Sequence, residues 1–395
     1  MKYTQYGNWE EYSRFFLDAF PVDKEYIACG VGEGFRTLRQ LFPQVKIRLC
    51  LDVRAETGAV LQGGIEVLPY ESLENELKGE IKQKFIITAG GEYYSEIKNV
   101  LIGYGVEESH MCSLHEILIF WGGHYSKKMM ASACNVFLLT NCNLKCKGCS
   151  QFTPYIVKHR YNSADSVKES LDHFFSVYDY VKDLVLVGGE TMLYRELGSI
   201  CSFIEGRFQE KYHELKIFTN GLVVPHKDVL EELAGISRVH IYISDYTGGI
   251  EEDTNLLIDE LRRYRIRYTL NKGFGQSAEY LWFDLGDPAV CKTTDMEANR
   301  AKFRKCSLDC RNLIDNKMYY CVPACAAMMG SVNILSDPDM YLDLENLEGL
   351  PWPDRMERVG KFELGFIEKG YLEFCSYCNG FGKDVNTHYI RAGEQ

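Results

Sequence analysis

The hydrophobic pattern of this chain changes character twice along its length. In the first 120 residues, short apolar runs alternate with segments of helical spacing. Glu10–Phe20 reads as an amphipathic helix with Phe15, Phe16, Ala19 and Phe20 near one face. Strands are expected at Tyr26–Cys29, Lys46–Leu51, Ile65–Leu68 and Lys84–Thr88, and helices at Phe35–Phe42, Glu71–Leu77 and Tyr93–Tyr104. Such alternation predicts a parallel α/β sheet. Residues 121–133, with two glycines and weak periodicity, read as a linker. A second alternation follows, with strands at Asn135–Thr140, Asp183–Val187, Leu215–Thr219, Val239–Ser244 and Ile266–Leu270. Helices are expected between them at Ser163–Tyr180, Leu193–Phe208, Lys227–Ala234 and Asn255–Tyr264. Short connections throughout suggest an open, partial (β/α) barrel. Beyond about residue 280 the pattern turns irregular and rich in cysteine. The expected layout is therefore an α/β domain over 1–120, a linker, a barrel over 134–285, and a small cysteine-rich domain over 286–395.

Composition narrows the chemistry. With Lys+Arg 44 against Asp+Glu 56, the net charge is -12. That balance argues against a nucleic-acid partner, which needs a basic face. No apolar run approaches the length of a membrane span, and the first residues lack an apolar signal core, so a cytoplasmic protein is expected. In a reducing compartment 15 cysteines point to metal rather than disulfides. Cys29, Cys50, Cys112, Cys134 and Cys201 stand alone in apolar stretches and read as small buried hydrophobes. The rest form a triplet at 142–149 and a late set at 291, 306, 310, 321, 325, 375 and 378.

The triplet, Cys142-Asn-Leu-Lys-Cys146-Lys-Gly-Cys149, directly follows an expected strand. Three thiolates on one loop can hold three irons of a cubane and leave the fourth open to a reacting cofactor. Zinc is the rival, with His159 as a candidate fourth ligand. The C-x3-C-x2-C spacing resembles the radical S-adenosylmethionine (SAM) superfamily. The resemblance implies a partial (β/α)6 barrel and a [4Fe–4S] cluster on Cys142, Cys146 and Cys149 that binds SAM at its open iron. One electron then cleaves SAM to methionine and a 5′-deoxyadenosyl radical. It departs from the family at Gly148, where an aromatic residue is common, so adenine packing would come from elsewhere. Gly188-Gly189-Glu190 ends the next strand and resembles the family motif that accepts hydrogen bonds from the SAM ammonium group, with Thr191 in place of the usual proline. Thr219-Asn220 and Ser244-Asp245 end the following strands, where they read either as SAM contacts or as turn and capping residues.

Cys306-x9-Asn316-x4-Cys321 resembles the first half of the auxiliary-cluster domains called SPASM or twitch, with Asn316 standing where glycine is usual. Asn tolerates positive φ, so the turn can survive. Cys375 and Cys378 would complete a second [4Fe–4S] site, the one-cluster twitch form fitting best. Cys310 competes with Cys306 as first ligand, Cys325 is a spare, and structural zinc is again the rival. Near the N-terminus, Gly30-Val-Gly32-Glu-Gly34 follows a strand and precedes Asp52, an arrangement that resembles a Rossmann fingerprint with its third glycine one place early. Docking, a nucleotide-sugar or NAD are the open readings there. Tyr280, Trp282 and Phe283 read as pocket lining or core.

These features imply an oxidoreductase-type radical SAM enzyme acting on a small molecule, sugar or nucleotide-linked. An external one-electron donor such as flavodoxin or ferredoxin would be its partner. The alternatives are modification of a ribosomally made peptide and a zinc-stabilised, non-catalytic binding protein.

Overall fold

The computed structural model describes residues 8–55, 59–60, 64–76, 83–246, 254–271, 281–308, 310–333 and 335–395. They divide into two compact units, one ending at Ser132 and one starting at Ala133.

In the first unit, α1 (Trp9–Ala19) is capped by the Asn8 side chain on the Glu11 N–H and buries Trp9, Tyr12 and Phe16. The strands are β1 (Glu25–Cys29), β2 (Lys46–Leu51), β3 (Ala59–Val60), β4 (Glu66–Leu68), β5 (Lys84–Ile87) and β6 (Met111–Ser113). They form one sheet in the order β3-β4-β2-β1-β5-β6, parallel except for the β3–β4 pair. Central β1 is buried from Tyr26 to Cys29, the continuous apolar run that a sheet covered on both faces requires. The helices between are α2 (Glu33–Leu41), α3 (Leu73–Glu76), α4 (Glu92–Gly103) and α5 (Leu114–Trp121). In place of the expected Glu71–Leu77 helix, a 3-10 turn at Tyr70–Ser72 runs into α3; Leu77 lies outside the described residues. Helix α5 is not among the expected elements; it starts in a capping box between Ser113 and Glu116. Its Phe120 stacks on Phe16 with centroids 4.5 Å apart, and Trp121 donates to the Phe20 carbonyl. The stretch expected as a linker thus holds fully buried Trp121, one π-helical turn at Gly122–Ser126, and the start of the next strand.

The second unit is built on β7 (Met130–Phe137), β8 (Tyr180–Val187), β9 (Tyr212–Thr219), β10 (Val239–Ser244) and β11 (Tyr268–Asn271), adjacent in chain order. Helices α6 (Ala164–Val177), α7 (Leu197–Phe208), α8 (Lys227–Ala234) and α9 (Asn255–Arg263) connect them. The inferred alternation is therefore present, with boundaries moved by a few residues. A sixth barrel strand after β11 is not found among the described residues. Instead β12 (Leu281–Phe283) pairs antiparallel with β16 (Tyr389–Arg391) in a separate ribbon. The other side of β7 is extended by β13 (Asn312–Ile314), β14 (Lys317–Tyr319) and β15 (Tyr341–Asp343). Residues 134–285 and 286–395 consequently share one sheet and one unit. The β13–β14 turn places Asp315 and Asn316 at φ 50 and 58, the two left-handed residues of a type I′ hairpin. Three helices complete the late region, α10 (Met296–Lys305), α11 (Val322–Met329) and α12 (Trp352–Leu364). Its core gathers Phe152, Phe283, Phe303, Tyr320, Leu372 and Phe374. Among the described residues no helix is long and apolar enough to cross a membrane.

Candidate functional site

The triplet sits on the loop that leaves β7, at the end of the sheet where β8, β9 and β10 also finish. Cys142 and Cys149 are half-buried and Cys146 is buried. Burial is the main force on their thiols, pushing Cys142 up to about 12 and Cys146 up to about 11. Each sulfur has a polar neighbour from a different part of the chain. Asn220 Nδ2 lies 3.8 Å from the Cys142 sulfur, Gln395 Nε2 3.3 Å from that of Cys146, and the Thr153 hydroxyl 3.3 Å from that of Cys149.

The glycines of Gly188-Gly189-Glu190 are demanded by close approach. A Cβ on Gly188 would fall 2.6 Å from the Leu139 carbonyl oxygen, and one on Gly189 2.2 Å from that of Asn141. The backbone there docks against the base of the cysteine loop, with the Gly189 N–H donating to Leu139 and the Glu190 N–H to Asn141. Glu190 itself turns inward. Its carboxylate accepts from the Met192 N–H (2.8 Å), the Thr219 hydroxyl (2.6 Å) and the Asn220 N–H (2.8 Å). Burial raises its pKa, and those three bonds offset part of the rise. Asn220 in turn donates to Asn143 at 2.8 Å beside Cys142. One network therefore runs from Glu190 through Thr219 and Asn220 to the cysteine loop. Thr191, where proline was expected, starts a 3-10 turn capped by Glu190. Ser244 and buried Asp245 lie at the end of β10, where the Asp245 N–H bonds the Asn271 carbonyl.

His159 places Nδ1 3.5 Å from the Thr140 hydroxyl. Trp282 packs beside Gly148, Phe283 belongs to the late core, and Tyr280 lies outside the described residues.

A second site forms in the late region. Cys306, Cys321, Cys375 and Cys378 line one pocket whose walls are Phe303, Leu308, Tyr320, Leu372 and Phe374. Burial pushes Cys378 up to about 12 and Cys321 well above the ordinary thiol range, each raised further by the neighbouring cysteines. Cys310 and Cys325 do not line this pocket; Cys325 is buried in a separate cluster with Phe137 and Ile314. Lys302 lines it too, and Lys302 Nζ donates to the carbonyls of both Cys375 and Cys378 at 2.7 Å. Sequence reasoning passed over Lys302, although its place one helical turn before Cys306 on α10 was a usable signal.

In the first unit, Gly30 has φ +97, and a Cβ on Gly34 would fall 1.9 Å from the Thr88 carbonyl oxygen. Asp52 accepts from the Val31 N–H (3.1 Å) and pairs with Arg54 (3.1 Å), so it braces its own glycine loop.

Residues 136–267 match the family model of the Radical SAM superfamily. That stretch is similar to a radical SAM domain. The matched stretch contains the triplet, Gly188-Gly189-Glu190, Thr219-Asn220 and Ser244-Asp245, and such a domain implies a [4Fe–4S] cluster and SAM. No curated protein matches the chain. Among solved structures it is similar to anSMEcpe with bound AdoMet, at 16% identity and TM-score 0.28 over 35% of this chain and 41% of that one. It is similar to SuiB from Streptococcus suis at 15% identity and TM-score 0.30, over 53% and 43%. BtrN in complex with AdoMet and 2-DOIA matches at 11% identity and TM-score 0.41, over 66% and 98%. The chain thus spans less than half the length of the first two.

Proposed function

We propose that this chain is an oxidoreductase-type radical SAM enzyme with two [4Fe–4S] clusters, acting on a sugar or nucleotide-linked small molecule. The first cluster is assigned to Cys142, Cys146 and Cys149, the second to Cys306, Cys321, Cys375 and Cys378 in a twitch-like late region. The observation that carries the reading is the three-thiol loop held by Asn220 and Glu190 at the ends of consecutive parallel strands, inside the family-matched stretch.

The donor sets fit iron–sulfur clusters better than zinc. A tetrahedral zinc with ~2.3 Å bonds would draw its sulfurs to about 3.8 Å from one another. In neither cysteine set do three sulfurs come within 4.8 Å of one another. A cubane, with one iron per thiolate, needs ligands spread more widely. When bound, the triplet's cluster supplies the electron that turns SAM into a hydrogen-abstracting radical. The chain's own work is positional. Glu190 holds Thr219 and Asn220, Asn220 holds Asn143 beside Cys142, and Asn220, Thr153 and Gln395 present polar groups to the sulfurs. The second pocket sets an apolar wall around its four thiols, Cys378 buried and Cys306, Cys321 and Cys375 half-buried, and suits electron exchange or substrate anchoring. An external one-electron donor of the flavodoxin or ferredoxin kind would reduce the protein.

The small-molecule assignment draws on the first unit, read as Rossmann-like. Leaving β3 aside, its parallel strands follow the doubly wound order, with the glycine loop after β1. The test is anaerobic purification followed by reduction with dithionite in the presence of SAM. Brown protein with about eight irons per chain and release of 5′-deoxyadenosine is expected. A colourless, zinc-loaded protein that leaves SAM intact would sink the proposal.

A further inference from the structure

The segment Tyr389–Gln395 takes part in no motif, yet it bonds the cysteine loop directly. Its start is fixed by β16, whose Ile390 pairs with Trp282. Gly393, at φ +78, passes so close to Tyr246 that a Cβ would fall 2.8 Å from that side chain's Cβ. The end of the segment then lies along Lys145–Gly148. The Lys147 N–H donates to the Glu394 carbonyl at 2.7 Å, and Lys147 Nζ pairs with the Glu394 carboxylate at 2.8 Å. The Lys145 N–H donates to Gln395 Oε1 at 2.8 Å, while Gln395 Nε2 donates to the Gly393 carbonyl at 2.9 Å and to the Cys146 sulfur at 3.3 Å.

The chemistry of these partners fixes the orientation of the Gln395 amide. A backbone N–H can only donate and a carbonyl can only accept. Oε1 must therefore face Lys145, and Nε2 must face Gly393 and the sulfur. Gln395 is thus a directed N–H donor to one thiolate of the triplet, held by two backbone bonds. Gly148, where the family often has an aromatic residue, is covered from the same segment. Ile390 Cγ2 would lie 2.2 Å from a Cβ there, with Trp282 next at 3.3 Å.

We propose that Tyr389–Gln395 is a built-in clasp of the cluster loop, and that Gln395, as a positioning residue, raises the reduction potential of the cluster on that loop through its bond to Cys146. The second half rests on the reading of the triplet as a cluster site. An N–H···S bond strengthens as the sulfur gains charge, so it favours the reduced form.

The test uses the full chain, reconstituted anaerobically and titrated with dithionite while electron paramagnetic resonance reads the reduced clusters. Gln395→Ala should lower the triplet cluster's midpoint by the equivalent of about a tenfold change in the reduced-to-oxidised ratio, ~59 mV for one electron. The late cluster should not move. An unchanged triplet midpoint at full iron content overturns the proposal. Should Gln395→Ala fail to hold the cluster, hydrogen exchange on metal-free protein decides. The peptide bearing the Lys145 and Lys147 amides must exchange faster in the variant than in the parent, and equal rates overturn the clasp. A parent protein that takes up no reducible cluster on the triplet would remove the functional reading instead, while the exchange comparison still judges the clasp.

Discussion

The two cysteine sites use the same thiol chemistry in opposite surroundings. At the triplet, side-chain donors or hydroxyls from Asn220, Thr153 and Gln395 approach the three sulfurs; Cys142 and Cys149 are half-exposed, as Cys306, Cys321 and Cys375 are at the late site. At the late site the side-chain walls are aromatic and aliphatic, the Gly380 backbone N–H donates to the Cys378 sulfur, and Lys302 bonds the cysteine carbonyls rather than the sulfurs. A loop with three thiolates and polar neighbours leaves a coordination place and a route for a polar ligand. Four thiolates in an apolar pocket close the coordination shell and exclude one. On the function proposed above, the number of sulfurs and the groups around them together separate the centre that binds SAM from the auxiliary one.

The largest effect should come from removing one thiolate at each site. Cys142→Ala and Cys146→Ala should lower iron from about eight to about four per chain and abolish SAM cleavage. Cys321→Ala and Cys378→Ala should lower iron equally while SAM cleavage stays within about tenfold of the parent, ~1.4 kcal/mol of barrier. Iron analysis and 5′-deoxyadenosine release measure both. Loss of cleavage in the second pair, at unchanged triplet iron, would break the division of roles.

Lys302→Met gives a smaller and local effect. It removes two charge-assisted bonds that fix the Cys375–Cys378 turn, at a cost of about 2 kcal/mol. Chemical denaturation should show that loss, and iron should drop toward four because the late ligands lose their register. The triplet's spectroscopic signature should survive. Equal loss of both signatures would mean that the two sites share one folding unit too tightly to be compared.

How much of this was legible in the sequence follows from the range over which each signal acts. The alternation of apolar runs gave β8 to β11 and their helices because strand and helix periods are local. The triplet and Gly188-Gly189-Glu190 were legible because one loop carries each motif. What the motif did not announce is that the Glu190 carboxylate braces Thr219 and Asn220, a partnership that only the adjacency of β8 and β9 creates. The choice of Cys306 over Cys310 at the pocket likewise needed the path of α10, whose last residue is Lys305. Gln395 had no sequence signal at all, since 249 residues separate it from the sulfur it touches. The missed helix α5 was the avoidable loss, because its Ser113-x-x-Glu116 capping box precedes an apolar run.

The finest distinction concerns two glycines, one beside each site. Gly148 is constrained by space alone, since it meets Ile390 and Trp282 without needing a positive φ. Gly148→Ala should cost about 1–3 kcal/mol through overpacking. The double variant with Ile390→Ala should regain most of that, because the obstructing methyl is gone. Gly380 is constrained twice. It has φ +91, a Cβ there would lie 2.8 Å from Val385 Cγ2, and its N–H donates to the Cys378 sulfur at 3.3 Å. Adding Val385→Ala to Gly380→Ala relieves the collision and leaves the backbone strain of about 1–2 kcal/mol. Double-mutant cycles on thermal or chemical unfolding should therefore show strong coupling at Gly148–Ile390 and incomplete rescue at Gly380–Val385. Additive costs at the first pair would mean that β16 does not pack on the triplet loop in solution, and the polar setting that distinguishes that site would lose one of its walls.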